Sequence, residues 1–334
     1  MRYPKGSVHL GSFKDEVILD FLAESRHATR SQLMQFVRYH YCEFNWPVFN
    51  WRVRRMVDTG LVRKQAPPML NGDVLYSITR AGFHALEGLG TFHLGATFDR
   101  EPEAHRYQIA HALEVNSIRL ALMRSLKLRD WVPESHIRAV NLLPTSAYAK
   151  VYDGIACVLI GDSEVDLAIE CERTPKTPAK YQRIREAIES ETQVHAFLYL
   201  VPSFQLLHAL QHAFSGTNRL VLFGMLGEFK EKLLASRVCT AYNRQAPLEE
   251  MLAWLVRARA KATCGDHMWP TPRIRRVTGI QRVRTHTWLQ MHEHEGFDVP
   301  LPFGGLSNRL LADLQASGST EFGSRLYAHT SACI

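Results

Sequence analysis

Tyr152-Asp153-Gly154-Ile155-Ala156-Cys157-Val158-Leu159-Ile160, a turn at Gly161-Asp162-Ser163, and a second apolar run into Glu170-Cys171-Glu172 form the most informative stretch of the chain. Two short apolar runs joined by such a turn predict a β-hairpin. A basic segment from Pro178 to Ile188 follows with helical spacing. Acids therefore stand at the start of one strand and the end of the next, beside a helix rich in Lys and Arg. Carboxylates that converge on one sheet edge offer the oxygen donors a hard divalent cation takes. Phosphodiester cleavage uses such a cation to activate water and to neutralise developing charge. Asp153, Glu170 and Glu172 are the acids so placed.

The flanking pattern extends this hairpin into a layered core. Glu103 to Leu128 predicts a long helix with Ile109, Leu113, Ile118, Leu122 and Leu126 inward, and Trp131 to Leu143 a first strand. The hairpin occupies Lys150 to Ile160 and Glu164 to Cys171. A helix over Ala179 to Ser190, an apolar strand over Val194 to Val201, a helix over Phe204 to Phe214 and an apolar strand over Arg219 to Met225 complete the order. Buried central strands alternating with helices predict an α/β (α+β) layered domain over residues 103–226.

That order, with acids on the second and third strands, resembles the PD-(D/E)XK restriction-endonuclease-like fold. More closely, His111-Ala112-Leu113-Glu114-Val115-Asn116, Tyr152-Asp153-Gly154-Ile155, Ala168-Ile169-Glu170-Cys171-Glu172-Arg173-Thr174 and a helix carrying Lys180, Tyr181 and Arg183 resemble the replication-relaxation family of plasmid and mobile-element proteins. C-type mobilisation relaxases look related. The resemblance spans about residues 13 to 226. It implies an N-terminal winged helix joined to a nuclease-like core, with Asp153 and Glu170 at the metal-binding acidic positions and Glu114 as a further ligand. Glu172 stands where a nuclease carries Lys, and a carboxylate cannot supply that positive charge. Lys180, or Lys176, from the following segment is the replacement if the site is active, so the candidate catalytic set is Asp153, Glu170, Glu172 and Lys180. Glu170 and Glu172 share one strand face, and two like charges there need compensation. Arg173, Lys176 or Arg183 can provide it with no metal, which leaves the core a scaffold.

Residues 13–90 read as a winged helix-turn-helix. Asp15 to Glu24 puts Val17, Ile18, Phe21 and Leu22 on one face. Thr29-Arg30-Ser31-Gln32 is a capping box opening a second helix. A third helix starts at Pro47, buries Phe49, Val53, Met56 and Val57, and stops at Gly60. Two strand-like runs, Leu61 to Gln65 and Val74 to Ile78, flank an Asn71-Gly72 turn. Tyr76-Ser77-Ile78-Thr79-Arg80-Ala81-Gly82 then resembles the wing-to-helix passage of bacterial winged-helix regulators. Asn50, Arg52, Arg54 and Arg55 form the polar face of the third helix, the residue types that pair with adenine and guanine edges. Arg63 and Lys64 carry the positive surface into the wing. A solvated face on a protein-interaction module is the competing interpretation.

Residues 228–334 read as a helical, basic extension. Leu248 to Ala262 has helical spacing, and Arg273, Arg275 and Arg276 lie in a basic run suited to phosphate contacts. Cys264-x-x-His267 and His292-x-His294 fit no common zinc framework. The formal charge is +7 and the pI about 9.1, a mild bias toward polyanions. No apolar run approaches membrane-span length, no signal-peptide core opens the chain, and six scattered Cys suit a reducing compartment. The expectation is a cytoplasmic, sequence-specific binder of double-stranded DNA from a mobile element. It acts as a homodimer, in regulation or assembly, with a non-catalytic core. The alternatives are a Mg²⁺-dependent nickase or relaxase, and a protein-interaction adaptor within a replication or transfer complex.

Overall fold

The computed structural model describes residues 14–41, 45–66, 70, 73–91, 93, 106–142 and 148–263. These fall in the unit Met1–Pro272. Its N-terminal part holds helices and a small antiparallel sheet. Helix α1 (Lys14–Ser25) leads into strand β1 (His27–Thr29) and helix α2 (Arg30–Tyr41). The capping box forms reciprocally: the Thr29 hydroxyl accepts from the Gln32 N–H at 3.1 Å, and the Gln32 carboxamide oxygen accepts from the Thr29 N–H at 3.3 Å. Helix α3 (Trp46–Asp58) begins one residue before Pro47, because the Asn45 side chain caps it by accepting from the Val48 N–H at 3.1 Å. Strands β2 (Val62–Gln65) and β3 (Leu75–Ile78) follow, and Thr79 caps α4 (Arg80–Gly88). Strand β1, for which the sequence pattern predicts no element, pairs with β3 in the order β1-β3-β2. Three residues are too few for alternation to register.

The second part is a seven-stranded mixed sheet in the order β10-β9-β8-β7-β6-β5-β4. Helix α5 (Arg106–Arg124) precedes β4 (Leu128–Pro133) and α6 (Glu134–Val140). The hairpin is β5 (Gly154–Ile160) and β6 (Ser163–Cys171), turning at Gly161, whose φ of +58° suits a residue without Cβ. Then come α7 (Pro178–Ser190), β7 (Ala196–Val201), α8 (Phe204–Ala213), β8 (Val221–Met225), α9 (Leu226–Lys232), β9 (Arg237–Thr240), β10 (Gln245–Pro247) and α10 (Leu248–Thr263). Only β6-β7-β8 run parallel; the two pairs on each side are antiparallel. One face, with Ala156, Val158, Leu167, Ile169, Leu198 and Leu222, packs under α5, α9 and α10. The other, with Ile155, Ala168, Phe197, Tyr199 and Phe223, packs under α7 and α8.

Two sequence expectations change here. The first strand does not run from Trp131 to Leu143. It ends at Pro133, which has no N–H to continue a ladder, and residues 134–140 turn into α6. The sheet also runs past residue 226, where the pattern closed the core: β9 and β10 extend it, and α10 packs on it through buried Leu248, Met251 and Leu252. Short edge strands with mixed burial carry little period-2 signal. The basic residues Arg273, Arg275 and Arg276, the Asn71-Gly72 turn and residues 94–105 lie outside the described residues. No helix among those described is long and apolar enough to cross a membrane.

Helix α5 joins the two parts. Its Asn116 amide donates to the His27 carbonyl at 2.7 Å, and Gln32 of α2 donates to the Leu113 carbonyl at 2.7 Å. Arg119 pairs with the buried Glu24 of α1 at 2.6 Å and lies over the rings of Phe21, Phe36 and Trp131. A buried ion pair bracketed by three aromatic rings holds one relative geometry, because truncating either partner leaves a charge without compensation.

Candidate functional site

The hairpin brings the predicted acids to one end of the sheet. Asp153 directly precedes β5. Its Oδ2 accepts from the Cys171 N–H at 2.7 Å, which closes the β5–β6 ladder with a side chain. Its Oδ1 lies 3.0 Å from Nε2 of His111 on α5. That hydrogen bond is the main reason the His111 pKa is raised, so His111 favours its cationic form against the Asp153 carboxylate. Glu170, 9% exposed, shares the β6 face of Ala168 and pairs with Lys150, a residue on the approach to β5. Burial pushes the Glu170 carboxyl up to about 7, against the opposing pull of Lys150. Glu172 is buried and pairs with Lys176. Lys176 is itself lowered, first by desolvation, while Glu170 and Asp153 hold its charge. Glu114 of α5 turns to Arg173, 3.3 Å away, and to the Cys171 thiol.

Each of these four acids thus has its own cation: His111 for Asp153, Lys150 for Glu170, Lys176 for Glu172 and Arg173 for Glu114. Among the described residues no three His, Cys, Asp or Glu side chains are grouped to hold a metal ion. Asp153 and Glu170 keep the oxygen chemistry for a hard cation. To bind one they would have to give up His111 and Lys150, so the arrangement does not fit a resident Mg²⁺. Lys180, the expected replacement lysine, is exposed on the first turn of α7, whereas Lys176 stands at the acids. The segment between Pro175 and Pro178 is fixed by the Lys176 N–H donating to the Tyr181 hydroxyl at 3.0 Å, which keeps Lys176 inward.

Three further groups belong to this cluster. Lys150, expected as the first residue of the hairpin strand and not as a site residue, lies four residues before β5 begins at Gly154, where no periodicity reports direction. Glu191, 1% exposed, accepts from the Tyr152 hydroxyl at 2.9 Å and from the Ala149 N–H at 2.9 Å. It anchors the segment that carries Lys150, and burial beside it drives the Tyr152 phenol strongly upward. The Tyr199 hydroxyl is buried beside Glu170 without a hydrogen-bond partner.

The second locus is α3. Arg52 and Arg55, expected to face DNA, both turn to Asp15 of α1, which is 0% exposed; the Arg52 distance is 2.8 Å. Asn50 accepts from the Arg30 guanidinium at 2.7 Å. Arg54 points outward with 83% of its side chain exposed and a loose pair to Asp58 at 3.7 Å. Arg63 and Lys64 on β2 are exposed, as are Arg30 and Arg80.

A comparison with protein-family models finds no match, and a comparison with curated proteins finds none. Among solved structures the chain is similar to restriction endonuclease FokI bound to DNA, at 11% identity and a TM-score of 0.21, over 74% of this chain. The match covers 46% of that chain, less than half its length. A likeness of that size supports no conclusion about activity.

Proposed function

We propose that the chain is a sequence-specific double-stranded-DNA-binding protein of a mobile element, a regulator or assembly factor with a non-catalytic nuclease-like core. The observation that carries this reading is the N-terminal arrangement. The order α1-β1-α2-α3-β2-β3, with β1 returning to pair β3, matches a winged helix-turn-helix with α3 as the recognition helix. Exposed Arg30, Arg54, Arg63 and Lys64 surround that helix and its wing, a charge pattern suited to phosphate contacts. The sheet order and the acids at the β5 and β6 ends support a restriction-endonuclease-like ancestry for the core. The cation paired to each acid supports loss of metal chemistry. A homodimer would place two such helices on a pseudo-palindrome, doubling a short site.

The test is selection of duplexes from a random pool by the full chain, followed by footprinting. Recovery of a defined site supports the reading, and failure to retain any duplex at low salt overturns it. A second reading, a metal-dependent nickase, draws on Lys176 lying near Asp153 and Glu170. Nicking of supercoiled plasmid with Mg²⁺ or Mn²⁺, abolished by Asp153→Ala, would establish it.

A further inference from the structure

The structure turns Arg52 and Arg55 of α3 toward Asp15, where they are half-buried, and leaves apolar side chains of the same helix exposed. Val48, Trp51 and Arg54 follow at intervals of three and share one helical face. Trp51 is 57% exposed and Val48 is exposed beside it. The Arg55 guanidinium lies 4.7 Å from the Trp51 ring centroid, so this indole is held rather than loose. Single exposed apolar residues are common on protein surfaces. An exposed Trp and Val on adjacent turns, with exposed Arg54 on the next turn and the Arg30 guanidinium at Asn50 of the same helix, are a more specific arrangement.

We propose that Val48 and Trp51 read thymine C5-methyl groups in the major groove, while Arg54 contacts an adjacent phosphate or guanine. The inference rests on the proposal that α3 enters DNA. The argument is complementarity. Among the base edges in the major groove only thymine presents a methyl group, which is met by apolar contact rather than by hydrogen bonds. The flanking phosphates are met by cations beside the apolar pair, and Arg54 on the next turn and Arg30 at Asn50 supply them. Sequence reading selected Asn50, Arg52, Arg54 and Arg55 by residue type, and so placed readout on polar contacts. Pairing with the buried Asp15 ties down two of those four, Arg52 and Arg55, and leaves them half-buried.

The experiment uses the full chain and the duplexes it selects from a random pool, resynthesised with deoxyuridine for thymidine. This change deletes the methyl and keeps the Watson–Crick pairing. The expected result is thymine in the selected site and a loss of roughly fourfold in affinity per critical methyl, the value of burying about one methylene. Trp51→Ala should bind the thymine duplex more weakly and be indifferent to uracil, whereas Trp51→Phe should keep part of the discrimination. Unchanged affinity of the wild-type chain for the uracil duplex overturns the inference and leaves DNA binding by α3 standing. No binding to any duplex overturns both. A chain that binds no duplex and self-associates through this face, with association lost in Trp51→Ala, identifies a protein interface instead. The wild-type comparison of the two duplexes decides the matter even if a variant misfolds.

Discussion

Arg52 and Arg54 lie two residues apart on one helix, and their replacement by alanine should give opposite phenotypes. Arg52 donates to Asp15 at 2.8 Å, and Asp15 is fully buried. A hydrogen bond to a charged group contributes about 1.5–3 kcal/mol. Arg55 remains as a second cation on Asp15, so the carboxylate is not stranded in Arg52→Ala. The expected cost is therefore about 2 kcal/mol, below the roughly 3–5 kcal/mol of an uncompensated buried charge. The double variant Arg52→Ala/Arg55→Ala strands Asp15 and should approach that larger cost. Arg54 is exposed and its pair with Asp58 is long, so Arg54→Ala should leave stability unchanged within error. Its effect should fall on DNA, with roughly tenfold weaker binding to a selected duplex. Urea denaturation followed by circular dichroism measures the first quantity, and fluorescence anisotropy with a labelled duplex the second. The reasoning is refuted if Arg52→Ala keeps full stability while losing DNA affinity, or if Arg54→Ala destabilises the fold.

Three other perturbations probe the core. Glu170 titrates near 7 when folded, above its ordinary 4.5, so the folded state holds this proton more tightly than the unfolded chain. Its contribution is complete below about pH 4.5 and lost as pH rises through about 7; melting temperatures should show wild type declining relative to Glu170→Gln over that window, and a constant difference would contradict the assignment. Glu191→Ala leaves the Tyr152 hydroxyl and the Ala149 N–H without their acceptor and should cost about 2–3 kcal/mol in denaturant unfolding. Gly154→Ala places a Cβ into the Trp131 indole across the β4–β5 pair and should cost about 1–3 kcal/mol; an unchanged midpoint would count against that strand pairing.

Much of the fold was legible because its signals are strong and local. The Thr29–Gln32 capping box, the Pro47 start and the Gly161 turn are each written in a few adjacent residues, and the apolar runs of β5 to β8 are long enough to register. The short strands β1, β9 and β10 were not legible, since three or four residues with partly exposed side chains carry no distinct period. At the candidate site the acids could be named from their strand-end positions, and Lys176 and Arg173 from the segment that follows, but the partners of Glu170 and Asp153 could not. Lys150 lies in an irregular segment, and His111 comes from a helix some forty residues upstream. The direction of Arg52 and Arg55 was likewise hidden: helical spacing marks them as polar, and only tertiary packing shows that Asp15 lies beneath them.

The most direct test of the central claim is titration of a labelled selected duplex with the full chain, by fluorescence anisotropy, in EDTA and again with Mg²⁺, with the DNA recovered afterwards on a denaturing gel. The account predicts salt-sensitive binding of equal affinity in both conditions and intact DNA. Binding that requires Mg²⁺, together with strand cleavage lost in Asp153→Ala, would contradict it.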